Sequence, residues 1–198
     1  VIEGGYNVFG NDTSYNSVGT WTVDEGVEKS AVLEIRGGTN VFNKCIYPGF
    51  MNGYLGTTGG EGVRSGLRVT GGVVSNGTTT GESVMMGGSI NAPSGKTFDT
   101  YPFIEMTGGY MYIGKNLQLA YKAGTHSTVS ISGTAELAVA PDKSGQYIGF
   151  GDTGGPSRGW LTVSENGTLS APFIEMRGSA GDSTWDITLK DNATVNTG

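Results

Sequence analysis

LEIRGGTNV at residues 33–41, LRVTGGVVS at 67–75, IEMTGGYMY at 104–112, VSISGTAEL at 129–137, LTVSENGTL at 161–169 and ITLKDNATV at 187–195 align without gaps. The first position is always Leu, Ile or Val. The third is Ile35, Val69, Met106, Ile131, Val163 or Leu189, and the fourth is hydrophilic: Arg36, Thr70, Thr107, Ser132, Ser164 or Lys190. Alternation of apolar and polar residues is the period of a strand that buries one face. Gly-Gly, Gly-Thr, Glu-Asn or Asp-Asn then follows, and Gly, Asn and Asp take positive φ at sharp corners most readily. The ninth position is apolar or aromatic at Val41, Tyr112, Leu137, Leu169 and Val195, with Ser75 the exception beside Val74. Each copy therefore predicts strand, corner, strand, and the six third-position residues are predicted to form one inward ladder. A seventh copy opens the chain, where VIEGGYNVFG at residues 1–10 matches EMTGGYMYIG at 105–114.

A weaker motif lies between these copies: VMMGG at residues 84–88, LQLA at 117–120, IGFGD at 148–152 and IEMRG at 174–178. It predicts a further strand with its own corner. The counterpart in an earlier coil is expected around Tyr54 and Leu55. Successive first positions are 34, 37, 25, 32 and 26 residues apart. The surplus falls in two insertions, NKCIYPGFMNGYLGTTGGEG at residues 43–62 and NAPSGKTFDTYP at 91–102. Variable insertions on constant strands are how stacked repeats behave.

A coil of this length cannot bury its own apolar face, so coils must stack with parallel strands about 4.8 Å apart. The expected fold is all-β: a single-domain parallel β-solenoid (β-helix) over residues 1–198, right- or left-wound, with about six to seven coils. Composition agrees. There are 36 glycines in 198 residues, 36% of residues are hydrophobic and 15% charged. Glycine and β-branched residues in every window exclude helices, and the absence of a Gly-X-Y period excludes collagen. Net charge is −6 with no basic cluster, which argues against nucleic acid as a partner. No apolar run reaches the roughly 20 residues of a membrane-spanning helix, so no membrane insertion is expected.

LTVSENGTLSA, VSISGTAELAV and YIGFGDTGG resemble the autotransporter-passenger and autotransporter-associated repeats of bacterial surface proteins, which are Gly-Thr-Val-rich parallel β-helices. The resemblance covers residues 33–198 and, more weakly, residues 1–32. It implies an extracellular or cell-surface scaffold or adhesin rather than an enzyme.

Motifs for chemistry are sparse. GFGDTG at residues 149–154 satisfies G-x-G-x-x-G, but Gly155, Pro156 and Gly159 follow, so no helix opens to receive a pyrophosphate. SGKT at residues 94–97 lacks the upstream glycine of a phosphate loop, with Ile90 in its place. The single histidine, His126, is expected in a solvated corner and excludes two-histidine metal motifs. No repeated calcium loop is present, and no metal or cofactor is expected. Cys45 is expected to be a small buried hydrophobe; an intermolecular bridge is the alternative. Glu105 and Glu175 occupy like phrases, PFIEMTG and PFIEMRG, and are the carboxylates considered for a polysaccharide-active β-helix enzyme. They begin different motif types, which argues against a shared face.

Two aromatic clusters, Tyr47, Phe50 and Tyr54, and Phe98, Tyr101 and Phe103, lie in or beside the insertions. They are expected to plug the core beneath the loops or to contact carbohydrate or a protein partner. Four sequons start at Asn11, Asn76, Asn166 and Asn192; they are read as turn asparagines and, in a secretory setting, as glycosylation acceptors. Both chain ends fall inside a repeat, without a polar cap. The expected partner is therefore a second copy stacked head to tail in a filament, or further solenoid of the same chain. A carbohydrate-binding module is the remaining alternative.

Overall fold

The structure is a computed structural model that describes residues 1–10, 16–20, 30–51, 63–76, 83–89, 99–121, 123–151, 156–177 and 183–198. All regular elements among them are β-strands, and every strand pair is parallel. Sheet A holds Ser30–Ile35, Val63–Val69, Thr100–Met106, His126–Ile131, Arg158–Val163 and Thr184–Leu189. Sheet B holds Tyr6–Phe9, Thr39–Phe42, Val73–Asn76, Tyr110–Ile113, Glu136–Val139, Thr168–Ala171 and Thr194–Thr197. Sheet C holds Asn16–Thr20, Ile46–Met51, Val84–Met85, Leu117–Leu119, Ile148–Phe150 and Ile174–Met176, with Gly88–Ser89 also paired to Ile46–Met51. The chain visits A, B and C in turn and returns to A one strand further along. It is a parallel β-solenoid with three faces, here counted as coils 1 to 7 from the N-terminus. Ile2, bridged to Ile35, stands in for the sheet A strand of coil 1.

The predicted inward ladder is present. Ile35 pairs with Val69, Val69 with Met106, Met106 with Ile131, Ile131 with Val163 and Val163 with Leu189. The first five are fully buried. The first-position residues Leu67, Ile104, Val129 and Leu161 are buried as well, each contributing roughly 1.5–3 kcal/mol by leaving water.

After the corner the gapless alignment slips by one residue. The corner from sheet A to sheet B has three residues in coils 2 to 4 (36–38, 70–72 and 107–109) and four in coils 5 to 7 (132–135, 164–167 and 190–193). The inward row of sheet B is therefore Asn7, Asn40, Val74, Met111, Leu137, Leu169 and Val195. Ser75 is no exception, because Val74 is the ladder member, whereas Val41 and Tyr112 fall on the outer row. The shorter corner depends on glycine. Gly72 has φ +77°, and a Cβ there would lie 2.6 Å from the Gly37 carbonyl carbon of the coil beneath. In coils 6 and 7, Glu165 and Asp191 take the left-handed position instead, at φ 56° each.

The second motif is the inward row of sheet C: Ile46, Val84, Leu117, Ile148 and Ile174 in register. Its coil 2 member is Ile46–Met51, inside what reads as an insertion, rather than the segment at Tyr54 and Leu55, which lies outside the described residues. Pro48-Gly49 reads as a turn, yet the strand absorbs it as an irregularity: Gly49 has φ +70°, and the register with Asn16–Thr20 shifts there. Every longer connection leaves from one of the two corners flanking sheet C, whereas the corner between A and B never exceeds four residues.

Candidate functional site: an outer sheet face and an open last coil

Residues that alternate with the core ladder point outward and line up across coils. Nearest the start of the sheet A strands, Arg64 pairs with Tyr101 and His126 with Arg158. The Tyr101 and His126 rings stack at 4.8 Å and 14°, joining the four into one row. His126 opens a strand rather than sitting in a solvated corner. Its Nε2 lies 3.2 Å from Asp99 Oδ1, and no hydroxyl is hydrogen-bonded to it among the described residues.

The next row holds Gly66, Phe103, Thr128, Trp160 and Asp186. Phe103 drops into the hollow above Gly66, where an added Cβ would come within 2.0 Å of the Phe103 carbonyl oxygen. The Arg64 guanidinium covers the ring at 5.2 Å. Phe103 is consequently 4% exposed, whereas Tyr101 is 41% exposed. In the third row Glu105 pairs with Arg68 at 2.9 Å and with Arg64 at 3.3 Å. Glu34 is held below its ordinary carboxylate range by its hydrogen bond to Arg36. Such solvent-screened pairs add little to stability. Arg158 makes no ion pair among the described residues and is exposed. The face combines aromatic surface with planar hydrogen-bonding groups.

The sequence-predicted residues do not gather in one place. Tyr47 and Phe50 are on sheet C of coil 2, and Tyr101 and Phe103 on sheet A of coil 4; Tyr54 and Phe98 lie outside the described residues. Glu105 and Glu175 belong to sheets A and C, so they share no face. Asn76 is fully buried and donates to the Lys44 carbonyl, which withholds it from glycosylation in the folded chain. Asn166 and Asn192 are exposed at like corners of coils 6 and 7, and Asn11 lies outside the described residues. Cys45 is buried. Sequence reasoning set His126 aside as a corner residue and passed over Trp160 and the arginines, because a row across coils is visible only once the register is known.

The second feature is the C-terminal end of the stack, formed by coil 7 in sheets A and B and by the Ile174–Met176 strand of coil 6 in sheet C. Met176, Ile187 and Leu189 occupy inward rows, yet they are 57%, 37% and 56% exposed. Their ladder neighbours one coil earlier, Phe150, Leu161 and Val163, are all 0% exposed. Trp185, Ala193 and Val195 are covered only in part. Strands Thr184–Leu189, Thr194–Thr197 and Ile174–Met176 are the edges of sheets A, B and C. Among the described residues nothing lies over this cross-section of the core. No family model matches the chain, and no curated protein or solved structure is significantly similar to it.

Proposed function

We propose that the chain is a length of structural solenoid in an extracellular or cell-surface scaffold or adhesin, continued beyond its last coil by further coils. One observation carries the reading: Leu189, Ile187 and Met176 occupy core rows and have no core above them among the described residues. An apolar cross-section ringed by unpaired strand edges is a template for more strands. Supporting it, the outer faces carry scattered ion pairs, and the interior rows are occupied by side chains throughout. Immunogold labelling of the native source, with antibodies raised to this chain, tests the reading. The expected result is label along rods or filaments at the cell surface; label confined to the cytoplasm would sink it.

A second reading has its own observation. The exposed Tyr101 ring, stacked on His126 and sharing the outer face of sheet A with Trp160 and with Arg158, which has no ion-pair partner among the described residues, supports glycan contact there. On that reading Tyr101→Ala and Trp160→Ala weaken retention on neutral polysaccharide in affinity electrophoresis. Equal mobility of parent and variants on every polysaccharide removes it.

A further inference from the structure

The two ends of the solenoid carry different chemistry in the same inward row. In sheet B that row begins Asn7, Asn40, Val74 and ends Leu169, Val195. Asn40 shows how an amide is satisfied there. Its Nδ2 donates to Gly37 O of its own corner at 3.1 Å and to Val73 O of the next coil at 3.3 Å. Its Oδ1 accepts from the preceding coil, from Asn7 Nδ2 at 3.0 Å. Asn7 repeats the pattern on its donor side, giving to Gly4 O at 3.1 Å and to Asn40. Its Oδ1 takes the place on coil 1 that Asn40 Oδ1 takes on coil 2, and no donor reaches it among the described residues. The amides hand hydrogen bonds along the axis in one direction, and the chain of acceptors is open at coil 1.

From this geometry we infer that coil 1 is built to receive a β-solenoid coil with a side-chain amide in this row, and that this chain's own last coil is the wrong occupant. The inference rests on the stacking reading above and names the partner. Head-to-tail contact between two copies sets Val195 over Asn7 and Leu189 over Ile2, continuing the registers within the chain, and leaves sheet C one strand short at the junction, because its last strand, Ile174–Met176, belongs to coil 6. The last contact is apolar on apolar. The first gives Asn7 Oδ1 a methyl-bearing neighbour in place of a donor, and a buried acceptor without a donor is penalised in full. The adjacent row displays the mismatch: Asn76 follows Phe42, and Asn76 Oδ1 is buried with no donor among the described residues. The match of apolar ends favours stacking in general, while the amide row selects against self-stacking.

Sedimentation velocity and negative-stain imaging of the full chain and of Val195→Asn test this. Val195 is at the partly covered end, so the substitution leaves folding intact, as circular dichroism would verify. It supplies the missing donor, so end-to-end self-association is expected to tighten at least tenfold over the parent. Asn7→Val, which removes the unmatched acceptor, is expected to act in the same direction. Filaments of the parent that form as readily as those of Val195→Asn would overturn the inference while leaving the stacking reading intact. Two variants indistinguishable from a monomeric parent would overturn it too. Failure of the surface labelling, by contrast, removes the stacking scaffold itself.

Discussion

Coil 5 and coil 7 are built from the same repeat and differ in what lies beyond them. Ile131 and Leu189 occupy one ladder, two strands apart, each at the third position of its copy. Ile131 is 0% exposed and Leu189 is 56% exposed. Leu137 and Val195 stand in the same relation in sheet B, the first fully buried and the second half-covered. Position within a repeat sets which way a side chain points; only the neighbouring coil sets whether that direction is dry.

The sharpest way to break the comparison is to put one charge at both points. Ile131→Asp places an unpaired carboxylate in the middle of the core, where its desolvation exceeds the stability of an ordinary domain's margin. The expected outcome is loss of the cooperative thermal transition followed by circular dichroism. Leu137→Ala comes next, at about 2–5 kcal/mol for a truncated core leucine. Val195→Ala on the same row is expected below about 1 kcal/mol, and urea denaturation of the two side by side checks the ratio.

Corners give an intermediate effect of either sign. Gly72→Ala adds a methyl against the coil beneath at a positive φ, and a loss of about 2–3 kcal/mol is expected in urea. Asp191→Gly relieves a left-handed non-glycine residue in the end coil, for a gain of a few tenths up to about 1 kcal/mol. Equal responses at Gly72 and Asp191 would mean that corner stacking does not depend on close backbone approach. The smallest effect is expected from Leu189→Asp, within about 1 kcal/mol of the parent in the isolated chain. A Leu189→Asp variant that melts like Ile131→Asp would mean that coil 7 is covered in solution.

Sheet A was legible in the sequence because a strand of period two announces its inner face through adjacent residues such as Leu33, Ile35 and Arg36. The corner was legible as a corner but not in length. Thr-Gly-Gly and Ser-Gly-Thr-Ala both satisfy the turn chemistry, and in each short-corner copy an apolar or aromatic residue stands at or next to the expected position: Val41 beside Asn40, Val74 beside Ser75 and Met111 beside Tyr112. The sheet C strand of coil 2 was hidden because Pro48-Gly49 carries a turn signal that tertiary pairing overrides. The outer-face row of Arg64, Tyr101, His126 and Arg158 was out of reach for a different reason. Its members come from four coils with connections of unequal length, so no fixed spacing links them. The amide row had a trace in the sequence, Gly-Gly-x-Asn at residues 4–7 and again at 37–40. It reads as turn chemistry until the register turns it into a hydrogen-bond relay.

Every strand in this molecule finds its partner one coil away, and that constancy bears on how the chain reaches its folded state. Closing the shortest coil, 25 residues from Ile104 to Val129, and the longest, 37 from Leu67 to Ile104, differs in chain entropy by only about 0.3 kcal/mol, since the term grows logarithmically. Connector length is therefore nearly free to drift, and no pairing has to wait for a distant segment. Folding can begin wherever two neighbouring coils first dock and then travel outward by annealing, one coil per step. Amide hydrogens should exchange in the reverse order, with Val129–Ile131 among the last to open and Thr194–Thr197 among the first.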